Sequence, residues 1–216
     1  IHNRSPYVIR EDQGFDAAKK YLSTRIAVVP VIDHNKNIKS IIRLQDVQPF
    51  INIKSRSVMI FGLGYVGLTL GLVLSDNGFT VIGYDKNKKL LEKLNNRVAP
   101  FYEAGLKSYI DKHIGSGFKV TSELEKANAD IYIISVGTPI NKITKKPDMS
   151  SIKSAVSSIA SVLKRNDLVI LRSTIPMGTT RNIVLPILES TSKLKAGKDF
   201  YLAFCPERTA EGKAME

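Results

Sequence analysis

The chain has 216 residues, 43% of them hydrophobic, and a formal net charge of +12. That is an ordinary globular composition with room for one large domain, or one medium domain and a small one, and it excludes a fibre or a disordered chain. One cysteine (Cys205) excludes a disulfide framework, the scattered His2, His34 and His113 suggest no metal site, and no apolar run reaches the roughly 18 residues of a membrane span. The positive charge comes from 22 lysines against ten arginines, spread among helical segments without interleaved aromatics. A solvated lysine-rich surface therefore outweighs nucleic-acid binding, with attraction of phosphate-bearing ligands as a weaker functional reading. The chain opens on Ile1 without an export signal, so it reads as a piece of a longer protein from a reducing cytoplasm.

In chain order, residues 6–9 read as a short strand and residues 14–24 as a helix with Phe15, Ala18 and Leu22 on one face. Residues 26–33 form a β-branched strand, 34–37 a turn and 38–44 a further strand, after which Asp46 can cap a helix. This β-α-β-β-α unit ends near residues 49–57, giving domains 1–53 and 54–216. Apolar strands are then expected at 58–61, 80–84, 118–121, 130–136, 168–172 and 200–204. Helices are expected at 66–77, 86–96, 104–113, 150–164 and 178–189, with a short one through Ala127 and with Pro186 bending or ending the last. Apolar strands alternating with helices imply an α/β fold, a doubly wound Rossmann-type parallel sheet in the order 3-2-1-4-5-6.

Gly62-Leu63-Gly64-Tyr65-Val66-Gly67 follows the first of these strands and opens a helix. In that context Gly62 permits a tight turn, Gly64 lets a pyrophosphate approach and Gly67 lets the helix pack on the strand. The helix N-terminus supplies amides and partial positive charge to the phosphates. Asp85, 18 residues beyond Gly67, can accept from ribose hydroxyls and repel a 2′-phosphate, favouring NAD over NADP. Lys86 beside it softens that exclusion. Read alone, Asp85 could equally be a helix N-cap, and Tyr65 either a pyrophosphate-loop contact or a packed aromatic.

Seven segments occur in order: FGLGYVGLTLG, YDKN, PFYEAGL, SVGTPI, PDMS, RSTIPMGTT and FCPERTAEGKAME. Together they resemble the N-terminal half of the UDP-glucose/UDP-N-acetylmannosamine (nucleotide-sugar) 6-dehydrogenase family across residues 57–216. The segment VVPVIDHNKNIKSIIRLQDV resembles a single CBS motif.

The first resemblance implies NAD-dependent oxidation of the C6 hydroxymethyl of a UDP-hexose or UDP-N-acetylhexosamine to the uronic acid, by two hydride transfers, in a cytoplasmic homodimer. It places Thr138 near the catalytic water and the cofactor, and Glu207 and Glu211 as acids at the substrate. It puts Gly62, Gly64, Tyr65, Val66, Gly67, Asp85, Lys86, Gly137, Thr138, Ser173 and Thr174 around NAD. It puts Phe101, Tyr102, Glu103, Glu207 and Arg208 around the UDP-sugar. Away from the family, Thr138 reads as a turn residue before Pro139 and Glu207 as a loop acid paired with Arg208. The family's nucleophilic cysteine lies beyond Glu216, and Cys205 does not match it. This chain is accordingly expected to bind the dinucleotide without turnover. The stretch CPERTAEGK leans towards the N-acetylhexosamine branches. The second resemblance implies AMP or ATP at the N-terminal unit, against which stands the favoured reading of that unit as a small packing or dimerisation element, and it leaves as an alternative for the chain a non-catalytic NAD- or adenine-nucleotide-binding regulatory module.

Overall fold

The computed structural model describes residues 7–13, 17–18, 21–22, 26, 28–43, 56–124, 128–143 and 145–208. The chain divides into two compact units, Ile1–Ile53 and Lys54–Glu216. In the first unit, strands β1 (Ile9–Arg10), β2 (Val28–Ile32) and β3 (Ile38–Arg43) form a sheet in that order. β1 runs parallel to β2, and β3 antiparallel to it. Ile9, Val29, Val31 and Ile42 bury one face of this sheet together with Ala18, as alternation along β-branched strands requires. Most of the helix expected at 14–24, the helix after Asp46 and the short helix ending at Ala127 lie outside the described residues.

The second unit is built on six parallel strands, β4 (Ser57–Phe61), β5 (Thr80–Tyr84), β6 (Phe118–Thr121), β7 (Ile131–Ile134), β8 (Leu168–Leu171) and β9 (Tyr201–Phe204). Their order across the sheet is β6-β5-β4-β7-β8-β9, the 3-2-1-4-5-6 order expected. Between them run helices α1 (Tyr65–Asp76), α2 (Lys88–Asn95), α3 (Leu106–His113), α4 (Ser150–Ala160) and α5 (Leu185–Ser192). The strands read as continuous apolar runs because both faces of the sheet are covered. Along β4, Val58 and Ile60 enter one core with Leu68, Leu72, Ile110 and Phe118, whereas Met59 and Phe61 enter the other with Ile152, Val156, Ile159 and Val169. β7 divides the same way, Ile131 and Ile133 to the first core and Tyr132 and Ile134 to the second.

Two helix features have local causes. Pro186 does not end the last helix. A π-helical turn, Thr180–Val184, leads into α5, with Pro186 in its first turn, and the helix runs on to Ser192. Proline lacks an N–H, so it is tolerated where a new helical segment begins, and the widened turn before it shifts the hydrogen-bond ladder. At the far end of α1, Asp76 receives hydrogen bonds from Lys112 and from His113 Nε2 at 2.5 and 2.8 Å. These bonds, Lys112 first, hold the Asp76 carboxyl below the usual carboxylate range and tie the C-terminal ends of α1 and α3 together. Among the described residues no helix is long and apolar enough to cross a membrane.

Candidate functional site

β4 runs straight into the glycine turn. Gly62 has φ +91°, and a Cβ there would meet the Ser135 and Val136 backbone at 3.0 Å. Its N–H donates to the Tyr84 carbonyl at 2.9 Å, fixing the turn to β5. A Cβ on Gly67 would stand 1.9 Å from the Gly62 carbonyl oxygen, so only glycine lets α1 come this close. Gly64 is different: nothing lies within 4 Å of where its Cβ would be. It is also the N-cap of α1, with φ −68°, ψ −165° and no side-chain cap bond. The first amides of a helix have no intrahelical acceptor, and the space at Gly64, where this helix starts, is open to an anion that can accept from them.

Asp85 lies just past β5. Its Oδ2 accepts the Leu63 N–H and its Oδ1 the Asn87 N–H, both at 2.8 Å. The N-cap of α2 is Asn87, whose side chain accepts from Leu90 N at 3.2 Å, so the capping alternative for Asp85 is set aside. The carboxylate pins the glycine turn from across the strand ends. Asp85→Ala is expected to cost about 1–3 kcal/mol of stability and to weaken NAD binding at least tenfold, and NADP binding less, because the repulsion of the 2′-phosphate goes with the carboxylate. Thermal unfolding and calorimetric titration of the variant would check both parts.

A cavity of about 370 Å³ opens between the ends of β4, β5 and β7, where the strand order reverses. Of the residues expected at a cofactor, Gly62, Gly64, Asp85, Lys86 and Gly137 line it. The far wall is Ser151, Ser154, Ala155 and Ser158 of α4, small side chains at helical i, i+3, i+4, i+7 spacing. The stripe repeats at the same helical period as the apolar face of that helix (Ile152, Val156, Ile159), which faces the core, and that period is its signal in the sequence. Just before α4, whose N-cap is Met149, Asp148 Oδ1 accepts the Ser150 N–H at 2.8 Å. That bond holds its carboxyl below the usual range. Across the cavity Lys86 Nζ donates to Ser154 Oγ at 2.6 Å.

The remaining candidates lie around this cleft in separate groups. Tyr65 donates its hydroxyl to Glu103 Oε2 at 2.7 Å and packs on Phe101 with ring centroids 5.2 Å apart. Glu103 is buried and Tyr102 is 93% exposed. Tyr65 is thus a packed aromatic that moors the 101–103 loop to α1, and Val66 lies half-buried in the first turn of that helix. Thr138 donates to the Thr174 carbonyl at 2.7 Å, and Ser173 donates to the Val136 carbonyl at 2.7 Å, so these hydroxyls cross-link the loops after β7 and β8. Glu207 pairs with Arg172, not with the Arg208 side chain. Arg208 contributes its backbone N–H to Glu207 Oε1 at 2.8 Å. Cys205 is exposed, 3.9 Å from Arg172 Nη1. Glu211 lies outside the described residues. Among the described residues no group of His, Cys, Asp and Glu could hold a metal ion.

A parallel sheet of this order, with a glycine turn, an uncapped helix start and a carboxylate meeting at its switch point, defines a Rossmann-type dinucleotide-binding domain. The family model for "UDP-glucose/GDP-mannose dehydrogenase family, NAD binding domain" matches residues 56–216. The chain belongs to that family, and the matched residues are its NAD-binding domain. It is 35% identical over 161 residues to the UDP-N-acetyl-D-mannosamine dehydrogenase of Pyrococcus horikoshii, covering 74% of this chain and 38% of that protein. It is 36% identical over 165 residues to the GDP-mannose 6-dehydrogenase of Pseudomonas savastanoi, covering 74% and 37%. A solved structure of the Pyrococcus horikoshii UDP-D-ManNAc dehydrogenase superposes with a TM-score of 0.69 at 34% identity, over 72% of this chain and 37% of that one. The chain therefore spans under two fifths of the length of these relatives.

Proposed function

We propose that this chain supplies the cofactor-binding half of an NAD-dependent 6-dehydrogenase that oxidises the C6 hydroxymethyl of a UDP-hexose or UDP-N-acetylhexosamine to the carboxylate in a cytoplasmic homodimer. The observation that carries the reading is the convergence of Gly62, Gly64, Asp85 and Gly137 on one cleft at the switch point of the sheet. Bound NAD supplies the hydride acceptor. The chain's own residues bind and orient it. The α1 amides and the open space at Gly64 take the pyrophosphate, and Asp85 takes the adenosine ribose. The Thr138–Thr174 and Ser173–Val136 bonds stiffen the loops at the strand ends beyond which the nicotinamide would lie. Glu207, oriented by Arg172, is a carboxylate placed to take a proton from the water whose oxygen enters the carboxylate product. Residues 1–53 form a CBS-like unit that would bind AMP or ATP, and residues 54–216 the NAD domain.

The test is calorimetric titration of the chain with NAD and AMP, followed by absorbance at 340 nm with UDP-glucose and UDP-N-acetylmannosamine. NAD is expected to bind and the chain alone to form no NADH. Joined to the C-terminal remainder of the Pyrococcus relative, it is expected to form two NADH per sugar oxidised. Absence of any NAD heat sinks the proposal. Heat with AMP alone, unchanged in Gly64→Ala, would move the working site to residues 1–53 and favour a regulatory module.

A further inference from the structure

The loop that follows β7 is a small hairpin. Ile140 and Pro147 form an antiparallel bridge, the Asn141 N–H donates to the Lys146 carbonyl at 2.9 Å, and the Lys145 N–H donates to the Asn141 carbonyl at 2.9 Å. The Asn141 side chain accepts the Ile143 N–H, also at 2.9 Å. A surface hairpin ordinarily turns polar side chains to water. This one presents Ile140 at 65% and Ile143 at 92% exposure. The next loop, after β8, is bonded to it through Thr138 and Thr174, and it carries Met177, which is fully exposed. One exposed isoleucine needs no explanation, but three large apolar side chains on two bonded loops mark a contact surface. The same hairpin holds Lys142, Lys145 and Lys146, all exposed. Neither residues 138–147 nor residues 173–178 include an acid, and Asp148 at the hairpin's base is the first to follow.

We propose that this hairpin, together with Met177, seats the domain on an anionic lipid surface. Aliphatic tips can enter the headgroup boundary while lysine ammoniums, on flexible stems, meet the phosphates. Single-stranded nucleic acid fits less well, because it is held by stacking on aromatic side chains and neither loop has one. The hairpin is closed by its own backbone bonds, so it gives up little chain entropy on contact. Attachment of this kind is peripheral and reversible, and it is independent of what the cleft binds. Two explanations compete with it. The chain's net charge of +12 could draw any part of the surface to anionic lipid, or the remainder of a longer protein could cover these loops.

The experiment is co-sedimentation of the 216-residue chain with vesicles of phosphatidylcholine and with vesicles of phosphatidylcholine and phosphatidylglycerol in equal parts. The wild type is compared with Ile143→Ser, with the double variant Lys142→Gln/Lys145→Gln, and with Lys88→Gln/Lys89→Gln on α2 as a control of equal charge. All of these side chains are exposed, so the variants are expected to fold, and a thermal melt verifies this. Binding is expected to the mixed vesicles alone and to weaken as salt is raised. Ile143→Ser should lower it about tenfold and the hairpin lysine pair about twentyfold, against less than about threefold for the α2 pair. Failure to bind the mixed vesicles, no loss in Ile143→Ser, or equal losses for the two lysine pairs would overturn the proposal. So would tighter binding to a single-stranded oligonucleotide than to the vesicles. Vesicle binding that disappears when the chain is joined to the C-terminal remainder of the Pyrococcus relative would assign the loops to a contact within the longer protein and overturn it as well.

Discussion

Gly64→Ala should leave the domain folded and remove most of its affinity for NAD, while the same change at Gly67 should damage both. The difference follows from what each new Cβ meets. At position 64 it enters open space on an extended backbone that alanine adopts freely (φ −68°, ψ −165°). The unfolding temperature should therefore shift by no more than about 1–2 °C. That open space is where a pyrophosphate must approach the α1 amides, so a methyl group there should weaken NAD binding by about a hundredfold. At position 67 the Cβ would stand 1.9 Å from the Gly62 carbonyl. Either α1 moves off β4 or the turn opens, at a cost of about 1–3 kcal/mol or more, and the binding turn is lost with it. Calorimetry and thermal unfolding on the two variants side by side decide the matter. Equal losses of stability would contradict the geometry, as would undiminished NAD binding by Gly64→Ala.

The second large effect is purely one of packing. Phe118 has no exposed surface and fills a slot between α1 and β5 that two glycines leave for it. A Cβ on Gly71 or Gly83 would come within 2.7 Å of its ring. Phe118→Ala removes the ring from a wall that cannot collapse without moving a helix, so about 3–5 kcal/mol should be lost. For a chain of this size that lowers the unfolding temperature by roughly 10 °C. Because Phe118 touches the middle of α1 and not its N-terminus, NAD affinity measured well below the unfolding temperature should fall less than about threefold. A stable Phe118→Ala variant would show that the core around β6 is looser than described.

Much of this was readable in the sequence because it is local. The six strands of the second unit are short, mostly apolar runs between helical periods, and their observed limits fall within one or two residues of those expected. The glycine turn announced itself by spacing, since each glycine answers a requirement within the same dozen residues. The partners of long-range contacts were not readable. Glu207 pairs with Arg172, 35 residues earlier, and not with adjacent Arg208, because the ends of β8 and β9 lie side by side in the sheet. Lys86 meets Ser154 across 68 residues of chain, a contact that exists only once the sheet order is known. The position of Asp85 after its strand points to a ribose ligand or a helix cap. That it also holds the Leu63 amide follows from the strand ends converging, which no periodicity encodes.

The fastening of the glycine turn also bears on how the dinucleotide is met. Gly62 N–H is tied to Tyr84 and Leu63 N–H to Asp85, so the turn has its conformation before any ligand arrives. A segment that is already ordered gives up little chain entropy on binding, and association need not wait for a loop to find its shape. The Leu63 amide should accordingly resist hydrogen exchange in the free protein almost as well as in the complex, and arrival of the dinucleotide should be limited by encounter and orientation.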